Sequence, residues 1–442
     1  MSKFTSRPVQ LALVAFAAGA ALLGYAAIRP ATVVPKDIEL PESPIALEAE
    51  LRAEDIALFE RRSAEDPYGA SDRARLATLF LQRARETGNV EDYRRAEAKA
   101  RESLALRPEH NGGARLALAS SLLARHRFPE ALAAARDLVA ADEDKPASRA
   151  LLGELELEMG DYDHARVTFD KLWQWRANLA VSPRLARWAE LTGKTGLARS
   201  ILRAAREQAD ARGDLPREQV AWFHLRVADF ELRRGDLPEA ALAIRNGLAI
   251  DARDPRLLSV AARLAALRGD WQEVIALGQR IGDRADLATM ALIGDAHLAT
   301  GDSARAERQF RAVERSAAAN PEPFNRQWTL FRLEHERELS ATLALLQGEI
   351  RTRRDVYGYD QLAWALHLSG DHLSARTAVL QAMRLGTPDA NLYYHRGMIE
   401  QALGHDESAR SHLHRALELN AHFHPVNADR ARRELRAISE RQ

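Results

Sequence analysis

"MGDYDHA", "RGDLPEA", "RGDWQEV", "TGDSARA" and "SGDHLSA" are variants of one phrase, and their recurrence limits the possible folds more than any single residue does. Their glycines are Gly160, Gly235, Gly269, Gly301 and Gly370, joined by Gly193 and Gly404. Most neighbours in this set lie 32 to 34 positions apart; the interval from 193 to 235 is longer, and 301 to 370 spans two periods. On both sides of each Gly-Asp the apolar residues recur at three and four, so each unit reads as two amphipathic helices joined by a tight turn. Glycine suits the left-handed end of the first helix, and the aspartate that follows can cap the second.

Five residues after the glycine stands Ala165, Ala198, Ala240, Ala306, Ala375 or Ala409, with Val274 as the exception. Seven residues before it stands Gly153, Ala186, Ala228, Ala262, Gly294, Ala363 or Gly397. Small side chains there let the two helices of a unit cross closely. An aromatic residue near the turn (Tyr162, Trp271), an apolar one later in the second helix (Phe169, Phe310) and a closing proline (Pro108, Pro255, Pro321) complete the pattern. Across roughly residues 70 to 420 the chain resembles the tetratricopeptide repeat family. The resemblance implies an all-α, right-handed α-solenoid of about ten helical hairpins. Units begin near 77, 112, 146, 179, 221, 255, 287, 322, 356 and 390. In the unit from 322, Glu336 replaces the glycine; the unit from 179 is lengthened through "ARGDLPRE"; and "ETGNVEDY" reads as a lengthened turn in the first unit. Capping helices are expected at 45–69 ahead of the 70–423 array and at 424–442 behind it, because end repeats must cover an open apolar face.

Ahead of this body, Lys3 and Arg7 precede Val9–Ile28, a run without charge. As a helix it would reach about 30 Å, so the expectation is one transmembrane helix at 9–28 with residues 1–8 in the cytoplasm and the body periplasmic or extracellular. A cleaved signal peptide that leaves a secreted periplasmic protein is the alternative. Pro30, Pro35, Pro41 and Pro44 make 29–44 a semi-extended linker.

Lys plus Arg balance Asp plus Glu at 63 each, finely interspersed, so no basic stripe offers itself to nucleic acid. Cysteine is absent, which removes disulfides and thiolate chemistry. No phosphate-binding loop, nucleophile elbow or zinc-protease motif occurs, and "HEREL" at His335 lacks the second histidine a zinc site needs. The reading is therefore a non-enzymatic, cofactor-free scaffold that binds a protein or peptide and aids assembly of a cell-envelope complex, with self-association into a homodimer as a further option.

"DVYGYDQLAWALHLSGD" concentrates the candidate binding residues. Tyr359, Leu362, Ala363 and Leu366 have core spacing, whereas Tyr357, Asp360, Trp364 and His367 form a second stripe. The resemblance implies that this stripe lines a concave groove, joined by Arg326 from the preceding unit and by Asn391, Tyr394, Met398 and Gln401 from the next. Packing between neighbouring units would consume the same aromatics. The lysine and asparagine clamp that grips a terminal carboxylate in some relatives is not matched, because its places hold Ala150, Glu154, Leu225 and Asp229. Nine of the fourteen histidines lie from His335 onward, so His422 and His424 are candidate metal ligands and an accessory role in a metal-handling membrane system is the alternative function.

Overall fold

The computed structural model describes residues 44–141, 145–319, 321 and 323–440. Two units divide the chain, Met1–Leu47 and Glu48–Gln442, and apart from residues 44–47, which open the first helix, everything below concerns the second. Helix α1 is Pro44–Glu65. Ten hairpins follow: α2 and α3 (Ala70–Thr87, Val90–Leu106), α4 and α5 (Gly112–Ala124, Phe128–Ala141), α6 and α7 (Pro146–Met159, Tyr162–Leu172), α8 and α9 (Ser182–Leu191, Thr195–Asp210), and α10 and α11 (Arg217–Arg234, Leu237–Ile250). The second five are α12 and α13 (Pro255–Leu267, Trp271–Ile281), α14 and α15 (Leu287–Ala299, Ser303–Ala319), α16 and α17 (Arg326–Glu334, Leu339–Glu349), α18 and α19 (Val356–Leu368, His372–Ala382), and α20 and α21 (Ala390–Ala402, Asp406–Leu419). Helix α22, Asn427–Glu440, closes the series, and no strand occurs among the described residues.

Each hairpin forms for local reasons. Gly160 and Gly235 end α6 and α10 with φ of 74° and 77°, the left-handed conformation in which a side chain is strained. The aspartates after the turn cap the next helix: Asp236, Asp270 and Asp371 accept from the backbone N–H three residues on. The small residues sit at the helix crossings. All six alanines after the turn are buried, and a Cβ on Gly294 would lie 2.3 Å from the Phe310 ring. Where glycine is missing the backbone keeps the same conformation: His126 and Glu336 take φ of 56° and 50°.

"ETGNVEDY" departs from expectation. Gly88 and Asn89 make the same two-residue turn as elsewhere, and the extra residues extend α2 instead. The single-pass membrane placement is corrected as well: among the described residues no helix is long and apolar enough to cross a membrane. The run at 9–28 lies outside the described residues.

The hairpins curve until later units return onto earlier ones. Arg354 N–H donates to the Met159 carbonyl at 3.0 Å, Val356 N–H to the Tyr162 hydroxyl at 2.8 Å, Thr387 Oγ1 to the Leu191 carbonyl at 2.8 Å and Asn420 Nδ2 to the Leu232 carbonyl at 2.9 Å. The three side-chain contacts span 194, 196 and 188 positions, between five and six repeat lengths. Tight turns of one coil thus dock on the inter-hairpin loops of the next. Buried Arg353 fastens this seam. It donates to the Glu158 carbonyl at 2.8 Å, pairs with the Glu158 carboxylate and with Asp355 at 3.3 Å, and lies 4.0 Å over the Phe128 ring.

Candidate functional site

The curved array lines an open cavity of about 1500 Å³, formed mainly by first helices of the hairpins and the loops before them. Its two walls differ in charge. From the earlier units come Arg85, Arg233, Arg256, Arg263 and Arg284 against Asp283. From the later units come Asp286, Asp295, Glu334, Glu336, Asp360 and Asp389 against Arg430.

Most of the basic wall is already neutralised. Arg233 pairs with Glu190 at 2.8 Å and with Asp229, Arg263 pairs with Asp229 at 2.8 Å, and Arg256 pairs with Glu218 at 2.8 Å and Asp254 at 2.6 Å. Burial works against the charge on Glu190, but Arg233 and Arg187 outweigh it and hold the carboxyl down at about 2. The acidic wall is partnered differently. Asp295 meets His335 at 2.9 Å, Asp360 meets His395 at 2.8 Å and Glu334 meets His424 at 3.5 Å. Asp286 accepts from the Gln327 amide at 2.8 Å and Asp389 from the Tyr357 hydroxyl at 3.3 Å. Among the described residues these five carboxylates have no lysine or arginine within ion-pair distance, so the later wall carries net negative charge whenever its histidines are neutral.

Four of the nine sequence candidates face the cavity: Tyr357, Asp360, Trp364 and Asn391. Trp364 lies between the imidazoles of His367 and His395, 4.9 and 4.4 Å away, so packing and cavity lining share one side chain. The other five lie off it. Arg326 turns to Asp355 beside the coil seam, and His367 packs on Trp364 and His372. Tyr394 and Met398 are buried core, and Gln401 binds Glu434. These last three belong to the final hairpin, where α22 packs against them, while Asn391 and His395 nearer the start of α20 line the cavity. The cavity residues contributed by earlier units carried no sequence signal, because they share a site only through the return of the coil.

His422 and His424, the candidate metal ligands, lie in the loop between α21 and α22. His424 Nδ1 accepts from the N–H groups of Val426 and Asn427 at 3.2 Å and so caps α22, and among the described residues no three metal-donor side chains converge.

Two histidines make the fold sensitive to acid. Burial, reinforced by Arg353 and Arg326, pushes His126 down to about 4, and burial with His372 nearby pushes His367 to about 4. The unfolded chain, with ordinary imidazoles near 6.5, therefore binds more protons between these values. Their contribution is complete above about pH 6.5 and is lost as pH falls toward 4, on the order of 2 kcal/mol each after allowance for solvent screening. Glu86, lifted by burial to about 7, pulls the other way. The informative quantity is thus a difference: from pH 7.5 to 5, urea unfolding of the His126→Asn, His367→Gln variant should lose less stability than that of the parent chain. Equal losses would exclude these histidines as the cause.

Family models described as tetratricopeptide repeat match residues 122–187 and 390–423. Comparison with curated protein sequences gives no match. Among solved structures, a tetratricopeptide repeat protein from Parabacteroides merdae is 16% identical, with 57% of this chain and 96% of that chain covered and a TM-score of 0.36. The APC/C hetero-tetramer Cut9–Hcn1 is 12% identical over 89% of this chain and 94% of that one, at 0.33. PilW, a type IV pilus biogenesis factor, is 14% identical over 50% and 97%, at 0.38.

Proposed function

We propose, for a chain that is a tetratricopeptide-repeat protein, that residues 48–442 act as a protein-interaction scaffold and that the cavity holds a segment of the partner. The supporting observation is the cavity itself. It is lined by the half-buried Tyr357 ring, by Trp364, which is only 6% exposed, and by side-chain amides at Asn325, Gln327 and Asn391. Rigid aromatics supply contact area at low entropic cost, and amides can satisfy the backbone groups of an entering segment. This reading assigns binding rather than catalysis to the site.

Absence of cysteine makes the test clean, since a single introduced thiol can carry a photo-crosslinker. Leu298→Cys places it inside the cavity, whereas Leu373→Cys, 71% exposed, lies away from it. In cells, a partner segment should crosslink severalfold more from position 298 than from 373. Equal labelling, or labelling from 373 alone, overturns the reading.

A further inference from the structure

Resting on the reading that the cavity holds a partner segment, we propose that the segment is cationic and amphipathic, with lysine or arginine on one face and leucine-sized apolar side chains on another. Two properties of the later wall carry this. Leu298, Leu330 and Val426 line the cavity yet remain 53%, 36% and 58% exposed. In a repeat protein whose other cavity-lining leucines mostly pack inward, three water-facing apolar side chains lining one cavity form an exposed apolar surface. An apolar face of the partner would cover them.

Charge complementarity sets the sign of that partner. On the earlier wall an entering carboxylate would have to compete with Glu190, Asp229, Asp254 and Glu218, which already hold Arg233, Arg263 and Arg256. Among the described residues, the cavity arginines outside such pairs are Arg284 on this wall, bound to the Arg253 carbonyl, and Arg430 on the later one. An entering ammonium or guanidinium meets the opposite situation. Asp295, Glu334 and Asp360 are satisfied by imidazoles, and Asp389 by the Tyr357 phenol on one oxygen and the Asn391 N–H it caps on the other; a charged donor can replace the imidazoles and the phenol with a gain of Coulomb attraction. Glu334 also lies one helical turn from Leu330 on α16, so apolar and acidic contacts fall on one stripe.

The test uses fluorescence anisotropy on the full chain with two fluorescein-labelled amphipathic peptides of equal length, one of lysine and leucine and one of glutamate and leucine. At pH 7.5 the lysine peptide should bind at least roughly tenfold tighter, and its affinity should fall as salt rises. Glu334→Gln with Asp389→Asn, which keeps both hydrogen-bonding shapes, should weaken it roughly tenfold and flatten the salt dependence. Leu330→Ser with Val426→Ser should weaken it at every salt concentration, while Leu373→Ser on the outside should leave it unchanged; circular dichroism and melting establish that each variant is folded. Equal or tighter binding of the glutamate peptide, or lysine-peptide binding indifferent to both cavity variants, overturns the proposal. If that happens while position 298 still crosslinks a partner, the charge assignment fails and the scaffold reading stands. If neither peptide binds and position 298 captures nothing, both fail.

Discussion

Gly160→Ala should destabilise the chain by roughly 2–5 kcal/mol and loosen its two coils, whereas the same change at Gly269 should cost only about 1 kcal/mol. Both glycines close a hairpin turn with nearly the same backbone, φ of 74° and 76°. Their surroundings differ completely. A Cβ on Gly269 meets nothing within 4 Å, so the substitution carries only the left-handed penalty. A Cβ on Gly160 would sit 2.3 Å from the Arg354 carbonyl carbon and 2.6 Å from the Asp355 nitrogen. Those are backbone atoms and cannot swing aside. Arg384, which donates to the Gly160 carbonyl at 3.0 Å, would be displaced as well. Thermal melting should separate the two variants, and small-angle scattering should show a larger radius of gyration for Gly160→Ala alone. Equal melting temperatures and radii would mean that the coils do not meet at this turn in solution.

Arg353→Met should cost about 3–5 kcal/mol, the expected scale for removing one member of a buried ionic cluster. The guanidinium is only 5% exposed and serves both coils at once, through Glu158 on one and Asp355 and the Phe324 carbonyl on the other. Burial and the neighbouring Arg326 press its pKa down, yet Glu158 and Asp355 keep the charge in place. Methionine would preserve contact with Phe128 but leave the Glu158 carboxylate without this guanidinium and Asp355 with Arg326 and the two N–H groups it caps. Lysine should rescue little, because a single ammonium cannot reproduce the planar fork or its stacking. Urea unfolding of the Met and Lys variants, with scattering on each, checks this. A loss below about 1 kcal/mol in Arg353→Met would show that the seam is held by backbone contacts and not by this cluster.

The candidate site was half legible before the structure. Helix periodicity grouped Tyr357, Asp360 and Trp364 on one stripe of α18, and the family resemblance implied that this stripe faces inward, although Asp360 and Trp364 are also buried by packing. Tyr394, Met398 and Gln401 have the same spacing and lie off the cavity, because α22 covers the last hairpin. Nothing in their own unit encodes that cover. The acidic character of the later wall was hidden for a related reason. Charges balance over the whole chain, and only the fold sorts arginines to one side and histidine-paired carboxylates to the other.

By itself the sequence determined the hairpin and its repetition. Those depend on contacts between residues a helical turn or one tight turn apart, and the left-handed glycine, the capping aspartate and the small residues at each crossing are chemical requirements visible one unit at a time. Tertiary structure alone decided which three of seven similar glycines, Gly160, Gly193 and Gly235, lie beneath another coil, and which inner side chains face water. Each such pairing joins residues between five and six repeats apart. It arises from small rotations between successive hairpins that accumulate along the array, and no motif within one unit records their sum.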